Sequence, residues 1–216
     1  MTSVLASPCT WLATHGSSCV EAFGFGTGVL NVWLVTRQSL WSWPLGVLNA
    51  VFYAVVFART GLYADTGLQG VYFVLSLYGW WYWWHGAASG SAHAVPRATR
   101  PVTKTPVRLA VMLGAVGAGT WLLLATVTAR LPGAALPWLD AALVATSLVA
   151  QWMMTRKLLE HWLLWIAVDV IYVGLFINRR LPLTAVLYAV FLGLAAHGLV
   201  AWRRSYRQQS ATQASA

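Results

Sequence analysis

The chain has 216 residues, of which 59% are hydrophobic and only 9% are charged, and its formal net charge is +9. A soluble domain carries about 25% charged residues, so this composition excludes a water-soluble globule and predicts a polytopic membrane protein. The basic residues stand between long apolar runs, so the positive-inside rule explains the excess charge better than a nucleic-acid partner does.

Seven apolar runs are each long enough to cross the bilayer as a helix, which takes about 17–25 residues. In chain order the predicted spans are residues 19–36, 41–58, 68–85, 108–129, 138–154, 162–178 and 182–202. These runs are continuously apolar and do not alternate, which excludes a β-barrel. The sequence therefore predicts an all-α membrane protein in which residues 1–216 form a single transmembrane domain.

The distribution of Lys and Arg predicts the orientation of these spans. With the N-terminus outside, ten basic residues fall in cytoplasmic segments and four in external segments. This bias favours an external N-terminus and a cytoplasmic C-terminus. The loop 86–107 and the tail 203–216 would then be cytoplasmic, and we expect both to be flexible. Free thiols at Cys9 and Cys19 are favoured over a disulfide.

The chain contains an internal repeat. Residues 36–83 align without a gap with residues 155–202, at a constant offset of 119 and with fourteen identities. The pairs include Thr36 with Thr155, Arg37 with Arg156, Trp43 with Trp162, Tyr53 with Tyr172, Phe57 with Phe176, Gly79 with Gly198 and Trp83 with Trp202. The offset superimposes helices that are an even number of crossings apart, so equivalent helices run in the same direction.

The repeat predicts an architecture. Two parallel three-helix units, residues 19–85 and 138–202, are joined by a linker helix at 108–129, a 3+1+3 plan. Parallel repeats occur in transporters that hold their substrate between the repeats, near the midplane of the membrane. A duplication with only a structural role is the alternative.

Several segments resemble the PnuC family of bacterial vitamin transporters. They are WSWPLGVLNAVFYAVVF (41–57), LYADTGLQGVYF (62–73), GWWYWW (79–84), WIAVDVIYVGLF (165–176) and LPLTAVLYAVFLGLAAHG (181–198). This family is similar in helix plan to the SWEET sugar transporters, in agreement with the repeat. The resemblance implies uptake of nicotinamide riboside, or of thiamine or riboflavin, across the bacterial inner membrane.

The resemblance also implies a mechanism and an assembly. Substrate would equilibrate by facilitated diffusion, cytoplasmic phosphorylation would trap it, and the protein would be a homotrimer. No cofactor is expected, and the sequence has no ATP-binding motif, metal-ligand spacing or nucleophile–base pair. An enzyme is therefore not expected, and a receptor or structural protein is the alternative class.

Asp169 is the most informative candidate site residue. An Asp at the centre of a membrane helix costs about 2.5–3.5 kcal/mol on insertion scales, and such residues usually face the protein interior and serve function. Trp165, Asp169 and Tyr172 lie on one helix face, where an aromatic wall beside a carboxylate suits a flat cationic ring. The PnuC family often has Trp, three residues, then Asn here. The carboxylate in place of the amide leaves the identity of the vitamin open.

Five further residues are candidates for substrate contact. Asn49 and Tyr53 lie one turn apart in span 2, and Asn49 falls at a depth similar to that of Asp169. Gln69 and Tyr72 lie in span 3, in the region where the family binds substrate, and Gln69 aligns with Tyr188 of span 7. Interhelical hydrogen bonding is the alternative role for Asn49, and a role at the start of the helix is the alternative for Gln69.

Five tryptophans are expected at the membrane–water interface. Trp162 lies near the cytoplasmic end of span 6, and Trp80, Trp81, Trp83 and Trp84 cluster at the end of span 3. Trp is enriched in such interfacial belts, so we interpret these five residues as belt residues.

Overall fold

The structure, a computed structural model, describes residues 19–59, 63–86, 100–130, 136–180 and 182–214. These residues form seven helices: α1 (Cys19–Thr36), α2 (Ser42–Arg59), α3 (Tyr63–Gly86), α4 (Val107–Thr128), α5 (Pro137–Thr155), α6 (His161–Asn178) and α7 (Pro182–Ala214). The all-α prediction is confirmed. Cys9, the side chain of Cys19 and residues 87–99 lie outside the described part, so the expectations for the thiols and for most of that loop remain predictions.

The helix bounds follow the predicted spans except at α3 and α7. Helix α3 begins earlier, at Tyr63, with Asp65 in its first turn, where a carboxylate stabilises the helix dipole. Helix α7 continues to Ala214, so the expectation of a flexible tail was wrong. The added turns are held by tertiary contacts: Tyr206 packs against the core, and Gln209 Oε1 accepts a hydrogen bond from the Val102 backbone N–H at 3.1 Å.

Four of the described helices are long and apolar enough to cross a membrane by themselves: Ser42–Arg59, Val107–Thr128, His161–Asn178 and Thr184–Thr212. In α1 the residues whose side chains the structure describes form a further apolar helix, Phe23–Thr36. Helices α3 and α5 carry polar side chains such as Gln69 and Gln151 that face the interior of the bundle. Polar residues that face other helices lower the hydropathy of a span without exposing polar groups to lipid.

Neighbouring helices pack in two groups. Helix α1 packs on α2 and α2 on α3, and likewise α5 packs on α6 and α6 on α7. Two contacts connect the groups, α1 with α7 and α3 with α5. Helix α4 packs on α5 alone among the helices of the described ranges.

One end of the bundle, where Arg37, Lys104, Arg156 and Arg203 lie, is called the basic end. Its core contains four tryptophans that are almost fully buried: Trp43 (2% exposed), Trp83 (1%), Trp162 (2%) and Trp202 (0%). Within each group the rings meet edge to face, Trp43 on Trp83 at 5.2 Å and Trp162 on Trp202 at 5.7 Å between centroids. Such pairs contribute about 0.5–1.5 kcal/mol beyond the burial of their area.

Two of these indoles also bond across the groups. Trp83 Nε1–H donates to the Thr155 carbonyl at 3.0 Å, and Trp202 Nε1–H donates to the Val35 carbonyl at 3.1 Å. The interfacial assignment was therefore wrong for Trp83 and Trp162, because both rings fill the space between helices. Trp81 and Trp84 are exposed, as residues of a belt would be.

Two glycines make room for the indoles. A Cβ atom at Gly79 would collide with the ring of Trp43, and one at Gly198 would lie 2.5 Å from Trp162 Cζ2. Gly79 and Gly198 are separated by 119 residues, as are Trp43 and Trp162. Small residues at helix interfaces allow the close approach on which packing in membranes depends.

We expect Gly198→Ala to destabilise the protein by about 1–3 kcal/mol, the cost of overpacking a close-packed core. The ring of Trp162 is 2% exposed and packs against His161 and Trp202, so it cannot give way to a new methyl group without disturbing these contacts. Gly193→Ala on the same helix is the matched control, because a Cβ there meets nothing within 4 Å. The measurement is the unfolding midpoint in detergent. Equal midpoints for the two variants would contradict this account of the packing.

Candidate functional site

A cavity of about 380 Å³ lies between the two groups of helices. Its volume is within the range of small-molecule sites, about 300–1,000 Å³. The lining includes all eight residues that the sequence singles out: Asn49, Tyr53, Gln69, Tyr72, Trp165, Asp169, Tyr172 and Tyr188. They come from α2, α3, α6 and α7, so tertiary packing brings together residues that are far apart in the chain.

Asp169 lies in the wall of this cavity and is 5% exposed. Among the described residues no basic group pairs with its carboxylate and no side chain donates a hydrogen bond to it. A buried carboxyl group without a partner is costly in an apolar medium. The chemistry of this position is therefore suited to a ligand that supplies a positive charge or hydrogen-bond donors.

Flat aromatic surfaces stand beside Asp169. Tyr172 and Phe176 of α6 stack at 5.8 Å between centroids, and Tyr188 of α7 lies 4.5 Å from Tyr172 and 5.3 Å from Phe176. On α2, Tyr53 and Phe57 stack in the same way at 5.7 Å. Phe176 and Phe57 lie behind the tyrosines and hold their rings. A planar, electron-poor ring can stack on such walls.

The amide and hydroxyl groups extend across the cavity. Asn49 Oδ1 lies 3.5 Å from the Thr27 hydroxyl, at the limit of a hydrogen bond. Tyr72 of α3 interacts with the Ser147 side chain of α5, which links the two groups of helices at the level of the cavity. Gln69 is half-buried in the lining, and no side chain in the described ranges forms a hydrogen bond with its amide. These groups could orient a polar substrate on two sides.

Sequence reasoning did not include four other polar residues of the lining among its site candidates: Asn31 on α1, Ser76 on α3, and Ser147 and Gln151 on α5. Asn31 Oδ1 is buried and accepts no hydrogen bond in the described part of the chain. Its position one turn above the buried Val35 gives a signal, since a polar residue in an apolar span is costly when it faces lipid. The repeat gives a second signal, because Asn31 and Gln151 occupy nearly equivalent positions.

The cavity is closed at the basic end. Val35, Met154 and Trp162 line it there and belong to the tryptophan core. Below them Lys157 Nζ donates to Gln38 Oε1 at 3.2 Å and lies 4.2 Å from the centroid of the Trp83 ring. The Gln38–Lys157 pair joins the end of α1 to the end of α5. The two residues are separated by 119 positions, the offset of the repeat.

Both residues of this pair have an unusual backbone. Gln38 has φ 53° and Lys157 has φ 54°, the left-handed conformation that favours glycine. Each ends its helix in the same way, with N–H bonds from Gln38 to Val35 and from Ser39 to Leu34, and from Lys157 to Met154 and from Leu158 to Met153. Long polar side chains at two positions suited to glycine indicate that the side chains have a role.

Lys157 is fully buried, in the loop between α5 and α6. Burial lowers the pKa of its amine to about 7, because the charged form loses its hydration. The face of Trp83 opposes this lowering, since a ring face stabilises a cation. A segment that includes Thr103 covers the loop: Thr103 pairs with Leu158 as an isolated parallel bridge, and its N–H donates to the Lys157 carbonyl at 3.1 Å.

A second and larger groove, of about 520 Å³, lies between α4, α5 and α6. Its lining is apolar apart from Thr105, Thr146, Trp121 and Glu160, and it contains none of the eight predicted residues. The smaller cavity is the better candidate site, because it combines a carboxylate, amides and stacked aromatic rings.

Comparison with known proteins identifies relatives that are all described as transporters. The model of the family described as nicotinamide mononucleotide transporter matches residues 18–204. The nicotinamide riboside transporter PnuC of Escherichia coli is 27% identical over 211 residues, covering 89% of this chain and 88% of the relative. The riboflavin/roseoflavin transporter RibM of Streptomyces davaonensis is 27% identical over 194 residues, covering 85% of this chain and 84% of the relative.

A solved structure has the same fold. The crystal structure of the vitamin B3 transporter PnuC superimposes with a TM-score of 0.71 at 24% identity, covering 92% of this chain and 86% of that chain. These relatives are named as transporters, in agreement with the expectation that the chain is not an enzyme. The family match extends over almost the whole helical bundle, and the chain belongs to the nicotinamide mononucleotide transporter family, that of the PnuC vitamin transporters.

Proposed function

We propose that this protein takes up nicotinamide riboside by facilitated diffusion, and that phosphorylation in the cytoplasm traps the imported vitamin. The observation that carries the proposal is the unpaired carboxylate of Asp169 beside the stacked rings of Tyr172 and Tyr188. Nicotinamide riboside has a planar pyridinium cation and ribose hydroxyls, which match the rings and the carboxylate. The similarity to a PnuC named as a nicotinamide riboside transporter supports the same substrate.

Riboflavin is the second candidate, because RibM is similar to this chain over a comparable length. Thiamine, which is also cationic, stays open on the family resemblance alone. The carboxylate favours a cation over the neutral riboflavin, since a neutral ring gives no charge with which to offset the burial of Asp169.

The substrate would bind to the eight residues named above, in a cavity between two parallel three-helix repeats, α1–α3 and α5–α7, with α4 as the linker. The equivalent tryptophan pairs, the equivalent glycines and the equivalent helix ends at an offset of 119 support this 3+1+3 plan. We propose seven crossings in the bacterial inner membrane, with the basic end in the cytoplasm. Assembly as a homotrimer rests on the family resemblance.

Purified protein in liposomes tests the function. Labelled nicotinamide riboside should enter vesicles until the inside and outside concentrations are equal, and entry should proceed without ATP. Thiamine and riboflavin, added unlabelled, measure selectivity by competition. Chemical conversion of the vitamin would indicate an enzyme, and binding without entry would indicate a receptor. Accumulation against a gradient with no trapping agent inside would contradict facilitated diffusion.

Asp169→Asn should weaken binding of nicotinamide riboside by about 10- to 150-fold, because a hydrogen bond to a charged group contributes about 1.5–3 kcal/mol. The substitution preserves shape and removes the charge. Binding of riboflavin should change little. Isothermal titration of purified protein measures both affinities.

Asp65→Asn is the matched control, since Asp65 is exposed in the first turn of α3 and does not line the cavity. If Asp169→Asn binds normally while Asp169→Leu fails, the carboxyl acts as a neutral hydrogen-bonding group. Normal binding in both variants would remove Asp169 from the site.

The Gln38–Lys157 pair is the proposed cytoplasmic gate, which must separate when the cavity opens to the cytoplasm. Gln38→Gly would leave the buried Lys157 amine without its acceptor, and should favour the open form by roughly 10- to 150-fold. Ser147→Cys, in a background without Cys9 and Cys19, reports access to the cavity. Its labelling by an impermeant thiol reagent in inside-out vesicles should accelerate by about tenfold or more.

Two controls make this result specific. Arg180→Gly replaces the third described non-glycine residue with positive φ, 56°, and lies at the opposite end of the bundle, so it should leave the labelling rate unchanged. Adding Lys157→Met to Gln38→Gly removes the unpaired charge and should restore slow labelling. Faster labelling from the outside of intact cells would contradict the orientation.

The closed form should also become more stable as pH rises from about 7 to about 10. Lys157 has its ordinary pKa when exposed in the open form, and burial lowers this pKa to about 7 in the closed form. Between these values the open form binds more protons, so a rise in pH favours the closed form. The labelling rate of the protein with native Gln38 and Lys157, divided by that of Lys157→Met at the same pH, should fall over this window, because the variant lacks the titrating amine.

A further inference from the structure

A third cavity, which differs in chemistry from the two described above, lies at the basic end, on the outer side of α6 and α7. Its volume is about 410 Å³, and its lining combines Lys104, Arg203 and Arg207 with Tyr206, Glu160 and three leucines. Three cations therefore face one carboxylate. Glu160 Oε2 already accepts hydrogen bonds from the Thr105 N–H at 2.9 Å and the Thr105 hydroxyl at 2.6 Å. Thr105, in the segment that precedes α4, therefore stabilises part of the negative charge of Glu160.

The cations of α7 follow an apolar residue on one helix face. Leu199, Arg203 and Arg207 are spaced four residues apart, so they form a stripe that changes from apolar to charged along the helix axis. Leu199 is buried, whereas Arg203 and Arg207 are exposed. Such a change marks the depth at which lipid chains end and headgroups begin.

The other wall shows the same order. Leu163, in the first turn of α6, is 45% exposed, and Lys104 lies in the segment that precedes α4. Lys104 Nζ lies 5.4 Å from the ring centroid of Tyr206, which draws this cation toward α7. The cavity thus has Leu163 and Leu199 on the side of the hydrocarbon and three cations on the side of the headgroups.

We propose that this cavity binds the headgroup of an anionic phospholipid, with its phosphate between Arg203, Arg207 and Lys104 and an acyl chain along Leu163. Arginine binds phosphate oxygens through two parallel hydrogen bonds, and basic pockets between membrane helices bind anionic headgroups. The site is distinct from the substrate cavity, which shares none of its residues. A lipid bound there would hold α7 against the segment that covers the Lys157 loop.

Arg204 separates this site from the general excess of positive charge. It is the neighbour of Arg203 and is exposed, but it points about 100° away around the helix and does not line the cavity. The positive-inside rule makes no distinction between these two arginines. A specific headgroup site requires Arg203 and does not require Arg204.

Purified protein is exposed to equal amounts of phosphatidylglycerol and phosphatidylcholine, and native mass spectrometry measures the lipid that is retained. The wild type should retain phosphatidylglycerol selectively. Arg203→Gln should reduce its retention about 5-fold and Arg203→Gln with Arg207→Gln about 30-fold, the effect of one and two basic residues near an anionic surface. Arg204→Gln should change retention by less than about 2-fold.

Lys104→Gln, outside α7, is a second variant and should reduce retention about 5-fold. Equal loss in Arg204→Gln and Arg203→Gln, or equal retention of the two lipids by the wild type, would overturn the proposal. Displacement of the lipid by millimolar inorganic phosphate would also overturn it, because the site would then bind a free anion. Should the double variant unfold, the wild-type lipid comparison and Lys104→Gln still decide the outcome.

Discussion

The packing of four buried indoles at the basic end determines how the two groups of helices meet. Lipid gives helices no hydrophobic reason to associate, so close packing and interhelical hydrogen bonds must hold them together. Trp83 and Trp202 supply both, since each ring is buried and each N–H bonds a carbonyl of the other group. Rigid indoles need an open surface opposite them, and Gly198 provides it. The cavity lies directly above these rings, so the packing of the indoles also sets its position.

Asp169 illustrates what an apolar medium requires of a binding site. A carboxylate in a membrane helix is costly, and the structure gives it no partner in the described ranges. The aromatic pairs at Tyr53 and Tyr172 lie in equivalent places, whereas the carboxylate occurs on α6 only. In the proposed site a flat ring would therefore have a stacking surface from each repeat and a charge from one. Such asymmetry would orient the substrate.

The Gln38–Lys157 pair concentrates two costs in one place. Both residues have a left-handed backbone, and the amine of Lys157 is buried away from water. A hydrogen bond and the Trp83 ring offset part of the second cost. In the proposed gate, unfavourable contributions that are only partly offset in the closed form would make opening easier. This balance suits the proposed facilitated diffusion, in which no ATP drives the change.

The sequence by itself determined the helices and identified eight residues that line the cavity. The length and apolarity of each run gave bounds close to those of α1, α2, α4, α5 and α6, because these properties are local. The cost of a polar residue in lipid identified Asp169 as an interior residue, a similar depth in the repeat added Asn49, and the family resemblance added Gln69. The constant offset of the repeat related Tyr53 to Tyr172. These inferences need no knowledge of which helices touch.

Only the tertiary structure decided what depends on distant contacts. The burial of Trp83 and Trp162 could not be predicted, because an indole near a helix end is suited both to the membrane–water interface and to the protein core. The extension of α7 depends on Val102 and its bond to Gln209, which lie far apart in the chain. The pairing of Gln38 with Lys157 depends on how two helix ends meet. The physical reason is common to all three: composition records the preference of a residue for water or lipid, whereas packing decides which protein surface it meets.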